Sequence, residues 1–288
     1  MEISKQNYLS KLNKNQEKAI VDLDGPCLIV AGAGSGKTRV LTSRVAHIIK
    51  EKKAWPNQIL CVTFTNKAAR EMQNRIASLI NVKITSLPWL GTFHSVSAKI
   101  LRRHAEAVGL NSRFTIIDQE DQLRLIKNIC KAEKIDIKKI APQFVLSFIN
   151  NWKNKGLLPN NITIKKGIPL EKAILNVYKY YQERLKILNS CDFGDLILLC
   201  VNMFEKNPDI LNLYLNNFKY ILVDEYQDSN YIQSKWLKLL SKKNNNICCV
   251  GDDDQSIYSW RGAEIRNFLD FSKTYNNTKI IKLEQNYR

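Results

Sequence analysis

The chain has 288 residues, 44% hydrophobic and 25% charged, the composition of an ordinary globular protein rather than a disordered or fibrous one. Its 44 Lys/Arg against 27 Asp/Glu leave a net charge of +17; this suits a polyanionic partner, nucleic acid or an anionic membrane surface, although general lysine richness gives the same surplus without any partner. Seven cysteines without a C-x-x-C pair, and His47, His94 and His104 without ligand spacing, argue against a disulfide framework or a zinc site. No signal core or run of about 18 apolar residues is present, which favours reduced cytoplasmic thiols and nucleic acid over membrane.

The first predicted strand is PCLIVA (26–31), and AGAGSGKT (31–38) follows it directly. A glycine-rich loop between a strand and a helix is the setting of a phosphate-binding loop. Ala33, Gly34, Ser35 and Gly36 offer backbone N–H groups to phosphate oxygens, and the helix start adds its positive dipole end. Lys37 should reach the β- and γ-phosphates, and Thr38 should ligate Mg²⁺. Ala31 stands where the strict pattern has its first glycine. The amphipathic helix 38–53 follows, with Leu41, Val45, Ile48 and Ile49 on one face. QILCVTF (58–64) is a second strand and 66–80 a second helix. Around them, Thr63, Phe64, Thr65 and Asn66, with Thr92, Phe93 and His94 in GTFHS (91–95), form a candidate DNA-facing set of phosphate donors and base-facing rings. A helix cap at Thr65 or Asn66 with core phenylalanines explains the same residues.

From about 98 to 190 the patterns are helical and lack buried parallel-strand signals. Residues 99–189 hold 18 Lys/Arg and 8 Asp/Glu, more than half of the chain's surplus. They read as a basic helical subdomain inserted into an α/β domain. YILVDE (220–225), NICCVG (246–251) and KIIKLE (279–284) resume the strands. Strands alternating with helices predict a parallel sheet with helices on both faces. Asp224 and Glu225 then fall at the sheet's C-terminal edge, where Asp224 can hold Mg²⁺ and Glu225 can activate a water. A third group, GDDDQSIYSWRG (251–262), sets Gln255 a few residues from Tyr258, Trp260 and Arg261, joining an acidic strand end to a surface suited to a flat polyanion.

With LNKNQ (12–16), TFTNKAAREM, VDEYQD (223–228) and LEQNYR (283–288), these stretches in order resemble the first half of superfamily-1 DNA helicases of the UvrD/PcrA/Rep group over the whole chain. The resemblance implies a RecA-like P-loop NTPase domain with an inserted helical subdomain: domain 1A at 1–110 and 211–288, and 1B at 111–210. Domains 2A and 2B would then lie in the same polypeptide beyond residue 288. It implies that Gln16 recognises adenine, that Arg39 and Tyr287 sandwich the base, and that Arg288 touches the γ-phosphate. Gln255 would lie beside the γ-phosphate, while Trp260 stacks on a DNA base and Tyr258 lines the same path. The implied activity is ATP-driven 3′-to-5′ movement on single-stranded DNA and duplex unwinding, with repair proteins as possible partners and a bacterial, nucleoid-associated location. A helicase portion of a nuclease-linked recombination complex, or a nucleotide-dependent DNA-binding module without unwinding, are alternatives. DFGDL (192–196) departs from the group at Gly194, where an acidic residue or alanine is commoner. In a helix interior, glycine costs about 1 kcal/mol against alanine.

Overall fold

The computed structural model describes residues 8–9, 12–81, 87–135, 140–164, 169–255 and 263–287. They divide into two compact units. The first comprises Met1–Val96, Pro208–Asn230 and Leu237–Arg288, and the second Ser97–Asn207 with Tyr231–Trp236. The sequence expectation set its boundaries at 110/111 and 210/211.

In the first unit, six parallel strands form one sheet. They are β1 (Cys27–Ala31), β2 (Ile59–Thr63), β3 (Leu90–Thr92), β6 (Tyr220–Val223), β7 (Ile247–Gly251) and β8 (Lys279–Leu283), in the order β3-β2-β6-β7-β1-β8. The strands β4 (Thr115–Ile116) and β5 (Ser190–Cys191) pair separately in the second unit. Strands β2, β6 and β7 are buried along their whole length, as a sheet covered on both faces requires. Cys61, Leu222, Cys248 and Cys27 lie in one register row across β2, β6, β7 and β1, so they share a face. There they join one core with Ile20, Leu41, Val45, Met72 and Ile76. All seven cysteines are buried and free, the role of small hydrophobes. The strand β3 is the one sheet member whose sequence, LGT, carried no strand signal; pairing with β2 makes it.

The helices are α1 (Lys14–Val21), α2 (Lys37–Lys50), α3 (Asn66–Ile80), α4 (Phe93–Arg103), α5 (Gln119–Ala132), α6 (Pro142–Asn154), α7 (Pro169–Ile187), α8 (Phe193–Lys206), α9 (Pro208–Asn217) and α10 (Tyr231–Ser241), with short turns of helix at Ile265–Leu269 and Phe271–Thr274. Local chemistry starts most of them. Asp118 caps α5, accepting from the Asp121 N–H at 3.0 Å, with Glu120 and Asp121 in the first turn and Lys131 in the last, an order that suits the helix dipole. Thr65 caps α3 by accepting from the Ala68 N–H at 3.1 Å. In the second unit α5, α6 and α7 enclose a core of Ile126, Val145, Ile149, Ile174, Tyr178 and Tyr181.

The order β6-β7-β1 decides where chemistry can occur. Three adjacent parallel strands end at one edge, and each is followed by polar residues: Asp224 and Glu225 after β6, Asp252 to Gln255 after β7, and the glycine loop after β1. Such an edge is the ligand crevice of an open α/β sheet.

Candidate nucleotide-binding site

The loop after β1 takes a shape that only glycine holds easily. Gly34 has φ +77° and Gly36 φ +88°, both left-handed. The Ser35 N–H and Oγ both turn back to the Gly32 carbonyl, at 3.3 and 2.7 Å. Gly36 is the N-cap of α2 and supplies no side-chain cap, so no side chain covers the positive end of the helix dipole, the setting of an anion site.

Lys37 opens α2, and its Nζ lies 3.4 Å from both Glu225 Oε2 and Gln255 Oε1. Three residues predicted from separate stretches thus converge on one ammonium group, whose side chain is 10% exposed. Glu225 sits at φ 49°, ψ 44°, a left-handed conformation that a non-glycine residue adopts only under constraint. Burial, then the charge of neighbouring Glu225, pushes the Asp224 carboxyl up to about 6, against the opposing Glu225 N–H and Lys37. Burial and Glu225 raise Asp228 to about 6 as well, and its Oδ1 is buried without a hydrogen-bond partner. At both carboxyls burial and the Glu225 charge outweigh the opposing pull of Lys37.

Sequence reasoning missed Gln227. This side chain is 1% exposed. Its Nε2 donates to Glu225 Oε2 at 2.8 Å, and its Oε1 accepts the Asp252 N–H at 3.1 Å. It therefore ties the end of β6 to the end of β7. Asp252 in turn accepts from Gln255 Nε2. The signal was present in the chain, an amide between two acids in DEYQD, but its reach to Asp252 depends on β6 and β7 being neighbours. Among the described residues no three or more His, Cys, Asp or Glu side chains are arranged to hold a metal. A Mg²⁺ here would rest on Asp224, Thr38 and the phosphates of a substrate, all hard oxygen donors.

On the base side, Gln16 is buried at 1% exposure. Its Nε2 donates to the Ser35 carbonyl at 3.0 Å, and its Oε1 accepts the Asn13 N–H at 3.1 Å. The ring of Tyr287 is exposed, while its N–H donates to the Gly34 carbonyl at 3.0 Å. Arg39 lies in the first turn of α2 and lines a cleft of about 450 Å³ with Tyr8, Asn74 and Arg75.

The candidate DNA-facing residues divide by exposure. Thr63 is 1% exposed and its hydroxyl donates to the Thr65 carbonyl at 3.1 Å; Thr92 is 8% exposed and its hydroxyl accepts the Ser95 N–H at 3.2 Å. Both hydroxyls shape their own loops. Phe93 is buried at 1%, which matches the core reading of this ring and not the base-facing one. Its ring meets that of half-buried Phe64 edge-to-face at 5.3 Å. Asn66 is exposed and His94 half-buried, with burial lowering the His94 pKa. Tyr258, Trp260, Arg261 and Arg288 lie outside the described residues.

A parallel α/β sheet whose phosphate loop, acid pair and glutamine meet at one strand edge defines a P-loop nucleotide-binding domain of RecA-like type. The sequence model of the UvrD/REP helicase N-terminal domain matches residues 12–276, and the chain belongs to that family. It is 50% identical over 289 residues to a protein named probable DNA helicase II homolog from Rickettsia felis, covering 99% of this chain and 44% of the relative. A protein of the same name from Rickettsia conorii is 51% identical over 286 residues, covering 98% and 43%. The ATP-dependent DNA helicase PcrA of Staphylococcus aureus is 46% identical over 280 residues, covering 97% and 38%. The chain thus spans less than half the length of these relatives.

Proposed function

We propose that this chain is the ATP-hydrolysing N-terminal part of a DNA helicase that moves 3′ to 5′ on single-stranded DNA and unwinds duplex. The observation that carries the reading is the placement of Lys37 between Glu225 and Gln255, 3.4 Å from each. An ammonium held this loosely by two side chains is ready to exchange them for the γ-phosphate of ATP. The loop N–H groups around Ser35 and Gly36 receive the β-phosphate. Glu225, oriented by Gln227, accepts a proton from water as that water attacks the γ-phosphorus and the bond to ADP breaks. Asp224 and Thr38 would hold a Mg²⁺, which would supply charge neutralisation at the phosphate oxygens.

The names of the relatives supply the DNA part of the proposal, and the +17 net charge supports it. Phe64 and Asn66 at the strand edge, with Tyr258, Trp260 and Arg261, form the proposed DNA path; Arg39, Tyr287 and Gln16 form the base pocket and Arg288 a γ-phosphate contact. Residues 97–207 correspond to the proposed 1B subdomain. No described helix is long and apolar enough to cross a membrane, and a cytoplasmic, nucleoid-associated setting with repair proteins as partners belongs to the same proposal.

Steady-state hydrolysis and equilibrium nucleotide binding test it. In the protein carrying this chain, Lys37→Ala should reduce DNA-stimulated hydrolysis to background. Glu225→Gln should retain nucleotide binding and slow turnover by about 10²–10⁴-fold, the usual contribution of a positioned base. Wild-type turnover in Lys37→Ala would overturn the phosphate-loop assignment. Equal losses of binding and turnover in Glu225→Gln would remove Glu225 as the base.

A further inference from the structure

The nucleotide groups at the base end of the site are joined by a closed set of hydrogen bonds, and the residue at its centre is Asn13. As N-cap of α1, Asn13 accepts the Gln16 N–H on its Oδ1 at 2.8 Å, and its own N–H donates to Gln16 Oε1 at 3.1 Å. This reciprocal pair is a capping box. The other end of the same side chain leaves the helix. Asn13 Nδ2 donates to the Tyr287 hydroxyl at 2.9 Å and to Gln285 Oε1 at 3.2 Å. The Tyr287 hydroxyl in turn donates to Gln285 Oε1 at 2.9 Å. Gln16 Nε2 reaches the Ser35 carbonyl, and the Tyr287 N–H reaches the Gly34 carbonyl, each at 3.0 Å. The path from Asn13 to Gln16, to the phosphate loop, to Tyr287 and back to Asn13 is therefore a ring. It joins residues 274 apart in sequence.

We infer that Asn13 is a positioning residue that sets nucleotide-base selectivity by holding Gln16 and Tyr287 in register through this ring. The inference rests on the nucleotide-binding reading above. Its physical basis is the occupancy of Gln16. Both polar ends of this amide are engaged, Oε1 by the Asn13 N–H and Nε2 by the Ser35 carbonyl. An amide carries two N–H donors and two acceptor lone pairs, so with one of each held by the ring Gln16 keeps one donor and one acceptor, in a fixed orientation, for a purine edge. For the base whose donor and acceptor match, this arrangement satisfies both groups. For a mismatched base it leaves a buried group unpaired, a substantial penalty. Asn13 fixes the starting orientation of that amide through the cap. Through Nδ2 it fixes the distance between the amide and the Tyr287 ring. Gly36 completes the fit, since a Cβ at that position would lie 3.0 Å from Gln16 Nε2. A second strut, Asn15 Nδ2 to the Lys282 carbonyl at 2.9 Å, holds α1 against β8 independently. Loss of the Asn13 arm therefore leaves α1 in place.

Two variants separate positioning from simple helix capping. Asn13→Ser keeps a short oxygen that caps α1 but is too short to reach Tyr287. Tyr287→Phe keeps an aromatic ring and removes the hydroxyl. Dissociation constants of the protein for MgATP and MgGTP, with melting temperatures, are the readouts. Asn13→Ser should keep the wild-type melting temperature while the ratio of GTP to ATP dissociation constants shrinks by about fivefold, the worth of one hydrogen bond. Tyr287→Phe should shrink that ratio similarly, and the double variant should fall no further, because both changes break the same bond. In steady state the loss should appear in KM for ATP and not in kcat. An unchanged ratio in Asn13→Ser, or additive losses in the double variant, would overturn the ring while leaving nucleotide binding intact. Failure of the wild-type protein to bind either nucleotide would overturn the nucleotide-binding reading itself, and the inference with it.

Discussion

Glu225 keeps a left-handed backbone at φ 49°, which costs a non-glycine residue about 1–3 kcal/mol. The bond from Gln227 Nε2 to its Oε2, at 2.8 Å, helps hold the carboxylate where that backbone aims it. Gln227→Ala should therefore lower kcat by about 10²-fold, the usual effect of misplacing a reacting group by an ångström. KM for ATP should change little, because the phosphate loop is untouched. A kinetic split of this kind, measured in steady state, distinguishes positioning from binding; a loss confined to KM would contradict the role. Gly251 supports the same contact. A Cβ there would press into Gln227 Oε1 and lie 2.7 Å from Phe268 Cε2. Gly251→Ala should reproduce the kinetic defect and cost about 1–3 kcal/mol of stability by overpacking, read from urea unfolding.

Helix α8 starts at a buried charge cluster. Lys153 Nζ from α6 lies 2.6 Å from Asp192 Oδ2 and 2.8 Å from Asp195 Oδ1, with all three side chains 0–1% exposed. Tyr181 and Gln182 from α7 donate to Asp192 Oδ2 and Asp195 Oδ1 at 2.9 and 3.0 Å. Lys153→Met should destabilise the unit by about 3–5 kcal/mol, because two carboxylates stay buried without their cation. Gly194 belongs to the same arrangement. Its position as a helix residue suggests that alanine stabilises, but a Cβ there would lie 2.9 Å from Lys153 Cδ. Gly194→Ala should therefore lower the melting temperature, opposite to the propensity scale. The cluster also carries a pH signature. Lys153 holds Asp192 below its ordinary value despite burial, whereas burial and the Asp192 charge push Asp195 up to about 6. An unfolded aspartate titrates near 3.9. A raised carboxyl means that the folded state binds more protons between about 4 and 6, so this group lowers stability as pH rises through that window. Asp195→Asn removes the titration. Relative to wild type it should gain stability from pH 4.5 to 7.5, and urea midpoints at the two values give the answer. An invariant difference would show that Asp195 titrates normally.

At the scale of the molecule, the charge surplus is concentrated. Residues 99–189 carry 18 of the 44 basic side chains and only 8 of the 27 acidic ones. If DNA binding draws on this surplus, log affinity for single strands should fall linearly with log salt, with a slope set by the number of phosphates neutralised. A flat titration of binding against salt would remove the block from the DNA path. The 288-residue chain should bind MgATP and single-stranded DNA but give no strand displacement on a 3′-tailed duplex. Phosphoryl transfer in this fold type gains about 10³–10⁵-fold from an arginine contributed in cis or in trans, and the relatives extend to more than twice this length. Robust unwinding by the chain alone would contradict that mechanism.

The parallel sheet, the glycine loop at 31–38 and the place of Asp224 and Glu225 at a strand end were legible in the sequence, because each is written locally. A buried parallel strand needs a continuous apolar run, a phosphate loop needs glycines at fixed spacing, and both signals survive without neighbours. Three further facts were decided only in three dimensions. Strand β3 exists because β2 pairs with it, not because LGT favours extension. The sequence left Thr63, Thr92 and Phe93 open between nucleic-acid contacts and local or core roles; packing turned two hydroxyls to their own loops and one ring into the core. The couplings of Gln227 to Asp252 and of Asn13 to Tyr287 follow from strand order, which places β6 beside β7 and β8 beside β1. Hydrogen bonds between residues 25 and 274 positions apart leave no periodic trace in a chain. They become visible only when the sheet brings their strands to one edge.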